Sequence, residues 1–205
     1  MKILITGTTG YIAKRLVLQL LKNGHQLICC VRDLSRIPDE IEYEDNIEFL
    51  KIDFLQPNKT VFPKDIDAAY YLIHSMSTSA TNFNKLEKNC AVNFKKLCEA
   101  TNCKQVIYLS GIVNDNSLSK HLESRLEVEK TLQSQNYALT TFRAGIIVGS
   151  GSASFEIIRD IVEKLPLMVT PRWLNTKTQP IAIRDVLNFL ERGVGNEELY
   201  NKSFD

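Results

Sequence analysis

The sequence predicts an α/β fold: a doubly wound parallel sheet with a small C-terminal lobe on the substrate side. Three observations carry this. Apolar runs of strand length alternate with longer segments of helical spacing along nearly the whole chain. Several of those runs are apolar throughout, as strands covered on both faces must be. The length, 205 residues, suits a single such domain, with positions 150–180 as the lobe.

The elements follow in order. Ile3-Leu4-Ile5 is the first strand. Gly7-Thr8-Thr9-Gly10-Tyr11-Ile12-Ala13 turns the chain into a helix whose Leu16, Val17, Leu20 and Leu21 share a face, and Asn23-Gly24 stops it. Gln26–Val31 is the second strand, with Arg32-Asp33 at its C-terminal end. Residues 34–46 are a polar loop or short helix. Ile47–Ile52 is the third strand and ends at Asp53-Phe54. Pro57 and Pro63 bracket a loop. Asp67–Ile73 is the fourth strand, followed by His74. Residues 80–101 form a long helix with Phe83, Leu86, Val92 or Phe94, and Leu97 as its apolar stripe. Gln105–Leu109 is the fifth strand and leads into Ser110-Gly111. The polar stretch Asn114–Ser117 precedes a helix over Ser119–Ser134. Ala138–Phe142 is the sixth strand, followed by Arg143-Ala-Gly145. Ser152 caps a helix reaching Leu165. Residues 166–180, with three prolines and Trp173, are irregular. Ile181–Leu190 begins extended and becomes a helix, and Leu199–Asp205 is a last strand.

Composition narrows the function classes. The 25 basic and 24 acidic residues leave a net charge of +1, so neither nucleic acid nor an anionic membrane is the expected partner. The apolar run after Lys2 is too short for a signal peptide, and no run reaches bilayer length. The five cysteines are odd in number and lack Cys-x-x-Cys spacing. They are expected as reduced thiols of a cytoplasmic protein, with no metal site. The expected partner is a small-molecule substrate.

The glycine turn carries the chemistry. Gly7 permits a sharp turn, Gly10 lets a pyrophosphate approach the backbone, and Ala13 allows the helix to pack closely on the strand. The helix N-terminus offers N–H groups and a positive dipole end. Gly7, Thr8, Thr9, Gly10, Tyr11 and Ile12 are therefore expected to bind a dinucleotide. Ligands of such sheets lie beyond the strand C-terminal ends, which singles out Arg32, Asp53, His74, Ser110 and Arg143. Arg32 stands where NAD sites place a carboxylate and can pair with a 2′-phosphate, so NADP is expected over NAD. The alternative for Arg32 is a solvated surface arginine.

Thr6–Ala13, Val31-Arg-Asp33, Tyr108-Leu-Ser-Gly111 and Phe142-Arg-Ala-Gly145 together resemble the atypical, NmrA-like branch of the short-chain dehydrogenase/reductase superfamily. Tyr70–Met76, Met168–Trp173 and Gln179–Asp185 are similar to a subgroup of nucleoside-diphosphate-sugar epimerases. The resemblance implies an NAD(P)-binding Rossmann fold. It implies that Asp53 accepts the adenine amino group, with the Phe54 N–H against the ring. It sets Ile73 and His74 near the ribose and nicotinamide, Ser110 at or close to the catalytic serine, and the Arg143 turn over the nicotinamide. It makes Gly149-Ser-Gly151 a candidate second anion site and Trp173 a wall or lid.

The family's Tyr-x-x-x-Lys is replaced by His121-Leu-Glu-Ser-Arg125. His121 would then be the proton donor and Arg125 the group that holds ribose or phosphate; the alternative is an exposed polar helix face. Family chains usually continue past Phe204-Asp205, often into a further domain, and helices in the superfamily often pack across homodimers. Two functions stand: an oxidoreductase or epimerase on a small carbonyl or sugar nucleotide, and a dinucleotide-reading sensor without hydride transfer.

Overall fold

A computed structural model describes residues 1–42, 44–57, 63–74, 83–113, 119–164 and 178–205. The main sheet holds β1 (Lys2–Ile5), β2 (Gln26–Val31), β3 (Ile47–Lys51), β4 (Ala68–Tyr71), β5 (Gln105–Gly111), β6 (Ala138–Ala144) and β9 (Ser203–Phe204). Their order is β3-β2-β1-β4-β5-β6-β9, and every pair is parallel. The order reverses between β1 and β4, where a crevice opens at the strand C-terminal ends. β7 (Ile147–Val148) and β8 (Ile181–Ala182) form a separate parallel pair. The helices are α1 (Tyr11–Lys22), α2 (Asp39–Glu42), α3 (Phe83–Ala100), α4 (Lys120–Leu132), α5 (Ala153–Lys164) and α6 (Ile183–Gly193).

The period-2 alternation of the strands divides the core into two layers. Ile3 and Ile5 of β1 and Ile107 and Leu109 of β5 pack with Leu16, Val17 and Leu20 of α1 and Leu190 of α6. Leu4, Val106 and Tyr108 face the opposite way, onto Phe94 and Leu97 of α3 and Val128 and Leu132 of α4. Tyr71 sits edge-on to both Phe94 and Tyr108, with ring centroids 4.9 and 5.8 Å apart.

The elements read from sequence stand close to their observed bounds. The helix stop at Asn23-Gly24 is a left-handed glycine (φ +75°) whose N–H reaches the Leu21 carbonyl at 2.9 Å. On α3 the choice between Val92 and Phe94 falls to Phe94, which is buried with Cys90, Ala91, Leu97 and Cys98. The Phe83 side chain lies outside the described residues. Ser119 caps α4 by accepting the Leu122 N–H. Ser152 precedes α5, but its hydroxyl donates to the Ile147 carbonyl at 2.7 Å and so ties the helix start to β7. The sixth strand runs two residues longer than expected, to Ala144. The final strand is short, two residues paired with Thr141 and Phe142. The Pro57–Pro63 loop, the Asn114–Ser117 stretch and Trp173 with most of 166–180 fall wholly or largely outside the described residues, while 150–164 of the expected lobe, including α5, is described. All five cysteines are buried thiols. Among the described residues, no helix is long and apolar enough to cross a membrane.

Candidate functional site

The crevice is a cleft of about 1510 Å³ running across the C-terminal ends of β2, β1, β4 and β5. Its floor is the β1–α1 turn. Gly7 has φ +67°, and a Cβ there would stand 2.5 Å from the Leu72 carbonyl oxygen, so only glycine fits. Gly10 closes the turn by donating to Gly7 at 2.8 Å. It caps α1 without any side-chain hydrogen bond, and the first helical turn holds no acid. The N–H groups of this turn and the positive dipole end therefore face the cleft uncompensated. Thr8 works inside the fold, its hydroxyl placed 3.2 Å from the Ile5 and Cys30 carbonyls, and reaches the cleft through its backbone. Thr9, Gly10, Tyr11 and Ile12 complete the floor.

At the β2 end Arg32 is exposed on the cleft rim. Asp33 turns away: its carboxylate caps the following turn, taking the Ser35 N–H at 3.1 Å and hydroxyl at 2.9 Å. Those bonds hold the Asp33 carboxyl below its usual range. Asp53 lines the cleft while one carboxylate oxygen accepts the Leu55 N–H at 2.9 Å. It both caps its turn and borders the ligand space. Phe54 sends its ring into the core against Phe94 and presents its backbone to the cleft, its carbonyl held by Asn93 at 2.8 Å.

The opposite end gathers the remaining candidates. Ile73 and His74 follow β4, Ser110 is the next-to-last residue of β5, which runs two residues past the expected end at Leu109, and His121 and Arg125 project from the first turns of α4; all five line the cleft. The rings of His74 and His121 lie 4.9 Å apart. Burial, then the neighbouring His74 and Arg125, push the His121 imidazole below its ordinary 6.5, with Glu87 pulling the other way. The Arg125 Nη1 sits 3.4 Å from the Leu109 carbonyl and 3.5 Å from the Tyr108 hydroxyl. Tyr108 itself is buried in the α3/α4 layer, and burial raises its phenol.

Two expectations change. Arg143 is not at the cleft. Because β6 continues to Ala144, alternation turns Arg143 onto the α4 face. There its guanidinium forms a two-pronged pair with Glu129 (2.8 and 3.2 Å) and reaches Asp205 at 3.1 Å. Ala144 and Gly145 of the same turn do line the cleft. The Gly149–Gly151 turn is no open anion site either: the Gly151 N–H donates to the Glu156 carboxylate at 3.1 Å, so the chain supplies its own anion.

Glu87 and Ser124 are functional candidates that the sequence reading passed over. Glu87 is 4% exposed, accepts the Ser124 hydroxyl at 2.7 Å and lies 3.4 Å from His74 Nδ1. Its signal was its spacing: Glu87, Cys90, Phe94 and Leu97 fall on one helical face, so an acid stands on the buried stripe.

The residues present fit a dinucleotide. Of three buried side-chain polar atoms without a hydrogen-bond partner among the described residues, two, the Tyr11 and Ser110 hydroxyl oxygens, belong to cleft residues. Buried polar groups are ordinarily satisfied, and a ligand in the cleft can supply what these two lack. When bound, a nicotinamide cofactor supplies or accepts a hydride.

Comparison with known proteins agrees. The family described as NAD(P)H-binding matches residues 7–150. The photosystem II assembly factor Ycf39 of Trieres chinensis is 25% identical over 210 residues; the match takes in all of this chain and 63% of that protein, so the chain spans less than two thirds of its relative. Among solved structures, Gre2 of Candida albicans in complex with NADPH superposes with a TM-score of 0.80 at 17% identity, covering 99% of this chain and 77% of that one. A UDP-glucuronic acid 4-epimerase from Bacillus cereus, holding UDP-glucuronic acid and NAD, gives 0.75 at 16% identity over 100% and 76%. At such identity the two structures speak for the fold, and the family match together with the motifs speaks for descent. The chain belongs to the family described as NAD(P)H-binding.

Proposed function

We propose that the protein is an NADP(H)-dependent oxidoreductase acting on a small carbonyl compound or the corresponding alcohol. One observation carries the reading. A single cleft has phosphate-binding features at one end and, at the other, two histidines, an arginine and a serine hydroxyl. Arg32 meets the 2′-phosphate, a role made easier because the Asp33 carboxylate is engaged by Ser35. Ser110 donates to the substrate oxygen and orients it. His121 gives the proton that completes an alcohol, or takes it in the reverse direction. Arg125 holds the nicotinamide ribose in place of the family's lysine; a guanidinium stays charged and relays no proton. Leu86, Leu109, Ile112 and Leu122 line this end as well and favour a substrate with an apolar body.

The test is NADPH consumption against a panel of aldehydes and ketones, with 4-deuterated NADPH to show that the label enters the product. Loss of turnover in His121→Ala and Ser110→Ala supports the assignment, and unchanged turnover in both removes it.

A second reading has its own support. The residue types of the Tyr-x-x-x-Lys pair are absent, and the Ycf39 relative is an assembly factor by name. A protein of that kind would read the cofactor's redox state and bind a partner accordingly. Unequal affinity for NADP⁺ and NADPH, with no label transfer to any carbonyl, favours it.

A further inference from the structure

We infer that Glu87 is the positioning residue of a coupled histidine pair, in which His74 passes protons between solvent and His121. The inference rests on the reading of His121 as the proton-transfer group.

The geometry carries it. Glu87 is anchored between two helices, on α3 with its carboxylate against Ser124 of α4 at 2.7 Å. The other carboxylate oxygen lies 3.4 Å from His74 Nδ1. That contact is long for a relaxed bond, as catalytic contacts often are before a ligand closes the site. It selects the His74 tautomer with the proton on Nδ1 and leaves Nε2 as the exchanging nitrogen. The His74 ring then lies 4.9 Å from that of His121, and its side chain is 31% exposed. The buried carboxylate thus stands behind two imidazoles that are both exposed and both line the cleft.

The proton balance is simple. His121 releases a proton to a substrate oxygen as hydride arrives at the adjacent carbon, and the carbonyl becomes an alcohol. His74 takes a proton from solvent on Nε2 and becomes the imidazolium; it then passes that Nε2 proton to His121 and returns to the neutral form with its proton on Nδ1. During the exchange Glu87 faces the His74 imidazolium and stabilises it, as a carboxylate behind a catalytic histidine does. Glu87 suits this role. Burial alone would raise its proton affinity, yet the bonds from His74 and Ser124 and the charge of Arg125 hold it below the usual carboxylate range. Among the described residues, titratable and charged groups around the pair include Tyr71 of β4, Cys90 of α3, Tyr108 of β5 and Arg125 of α4. Of these the arginine alone carries charge at neutral pH.

The chain has three histidines, so imidazole nitrogen NMR of the free, full-length protein resolves the pair without cofactor or substrate. His74→Gln removes a neighbour that opposes protonation of His121, and Glu87→Gln removes one that favours it. The expected result is opposite movement of the His121 midpoint, upward in His74→Gln and downward in Glu87→Gln, each by about half a pH unit or more. Ser124→Ala, a milder change, should reduce the fraction of His74 carrying its proton on Nδ1. A His121 midpoint that stays put in His74→Gln, or a His74 tautomer indifferent to both Glu87→Gln and Ser124→Ala, overturns the coupling. If Glu87→Gln fails to fold, the other two variants decide. Turnover is scored separately. An active enzyme with independent histidines refutes the relay alone, while coupled histidines without label transfer refute the enzyme reading and leave the pair standing.

Discussion

Arg32→Ala tests the cofactor assignment most directly. Arg32 sits on the cleft rim at the end of β2, and the adjacent carboxylate that could serve the ribose hydroxyls of NAD is turned away into Ser35. A hydrogen bond to a charged group contributes about 1.5–3 kcal/mol, which converts to roughly a 10- to 150-fold change in Kd. Arg32 is exposed, so solvent and salt screen the pairing and the lower end applies, about tenfold near physiological ionic strength. The 2′-phosphate is the sole chemical difference between NADPH and NADH, so NADH affinity should not move. Titration by NADPH fluorescence or calorimetry at two salt concentrations measures both. The NADPH penalty should shrink as salt rises, because salt already weakens the wild-type contact. Equal weakening of both cofactors would show that Arg32 supports the loop and not the phosphate. No weakening, or tighter NADH binding by the wild type, would refute the NADP assignment.

Four further outcomes follow from the same contacts. Gly7→Ala places a Cβ 2.5 Å from the Leu72 carbonyl at a residue with φ +67°; left-handed strain and overpacking together should cost about 2–5 kcal/mol, read as a lower Tm that NADPH no longer raises. Arg143→Ala leaves Glu129, whose side chain is 9% exposed, without its main partner; urea unfolding should show a loss on the order of 3 kcal/mol while NADPH affinity holds. Ser110→Ala removes a buried hydroxyl whose side-chain neighbour is the Tyr108 phenol, so thermal stability should change little while turnover falls. His121 is pushed below 6.5, so its protonated form is lost as pH rises through a midpoint under that value. Carbonyl reduction should therefore decline from acid toward neutral pH, and alcohol oxidation should gain over the same range. A reduction rate flat from pH 5 to 7.5 would exclude His121 as the donor.

Much of the fold was legible because burial on both faces leaves a plain mark. Ile3–Ile5 and the Gln26–Val31 run are apolar for that reason, and the glycine turn between strand and helix admits few other readings. What failed was local and physical. An end of the sixth strand at Phe142 would put Arg143 in the turn at the cleft; two more residues of pairing keep it inside β6, on the face where Glu129 holds it. Glu87 was passed over for a different reason. Its spacing with Cys90, Phe94 and Leu97 marked it as buried, but its partners, His74 and Ser124, lie 13 and 37 positions away, a proximity that one sequence does not display.

The missing tyrosine is where the two candidate functions separate, and the replacement chemistry bears on the choice. A tyrosine lowered by a neighbouring lysine can serve as a donor near neutral pH. A histidine beside an arginine and a second histidine is driven the other way, toward the neutral imidazole. Such a group holds its proton weakly, so at neutral pH it stands mostly as the free base. Buried Glu87, braced by Ser124 behind His74, opposes that drift and is difficult to explain as packing, since an acid on an apolar stripe costs free energy unless it is paired. A sensor that only reads the dinucleotide has no use for a carboxylate held under two histidines at the end of the cleft. A proton-transfer site does, and under the proposed function the carboxylate behind His74 keeps a protonated partner within reach of His121.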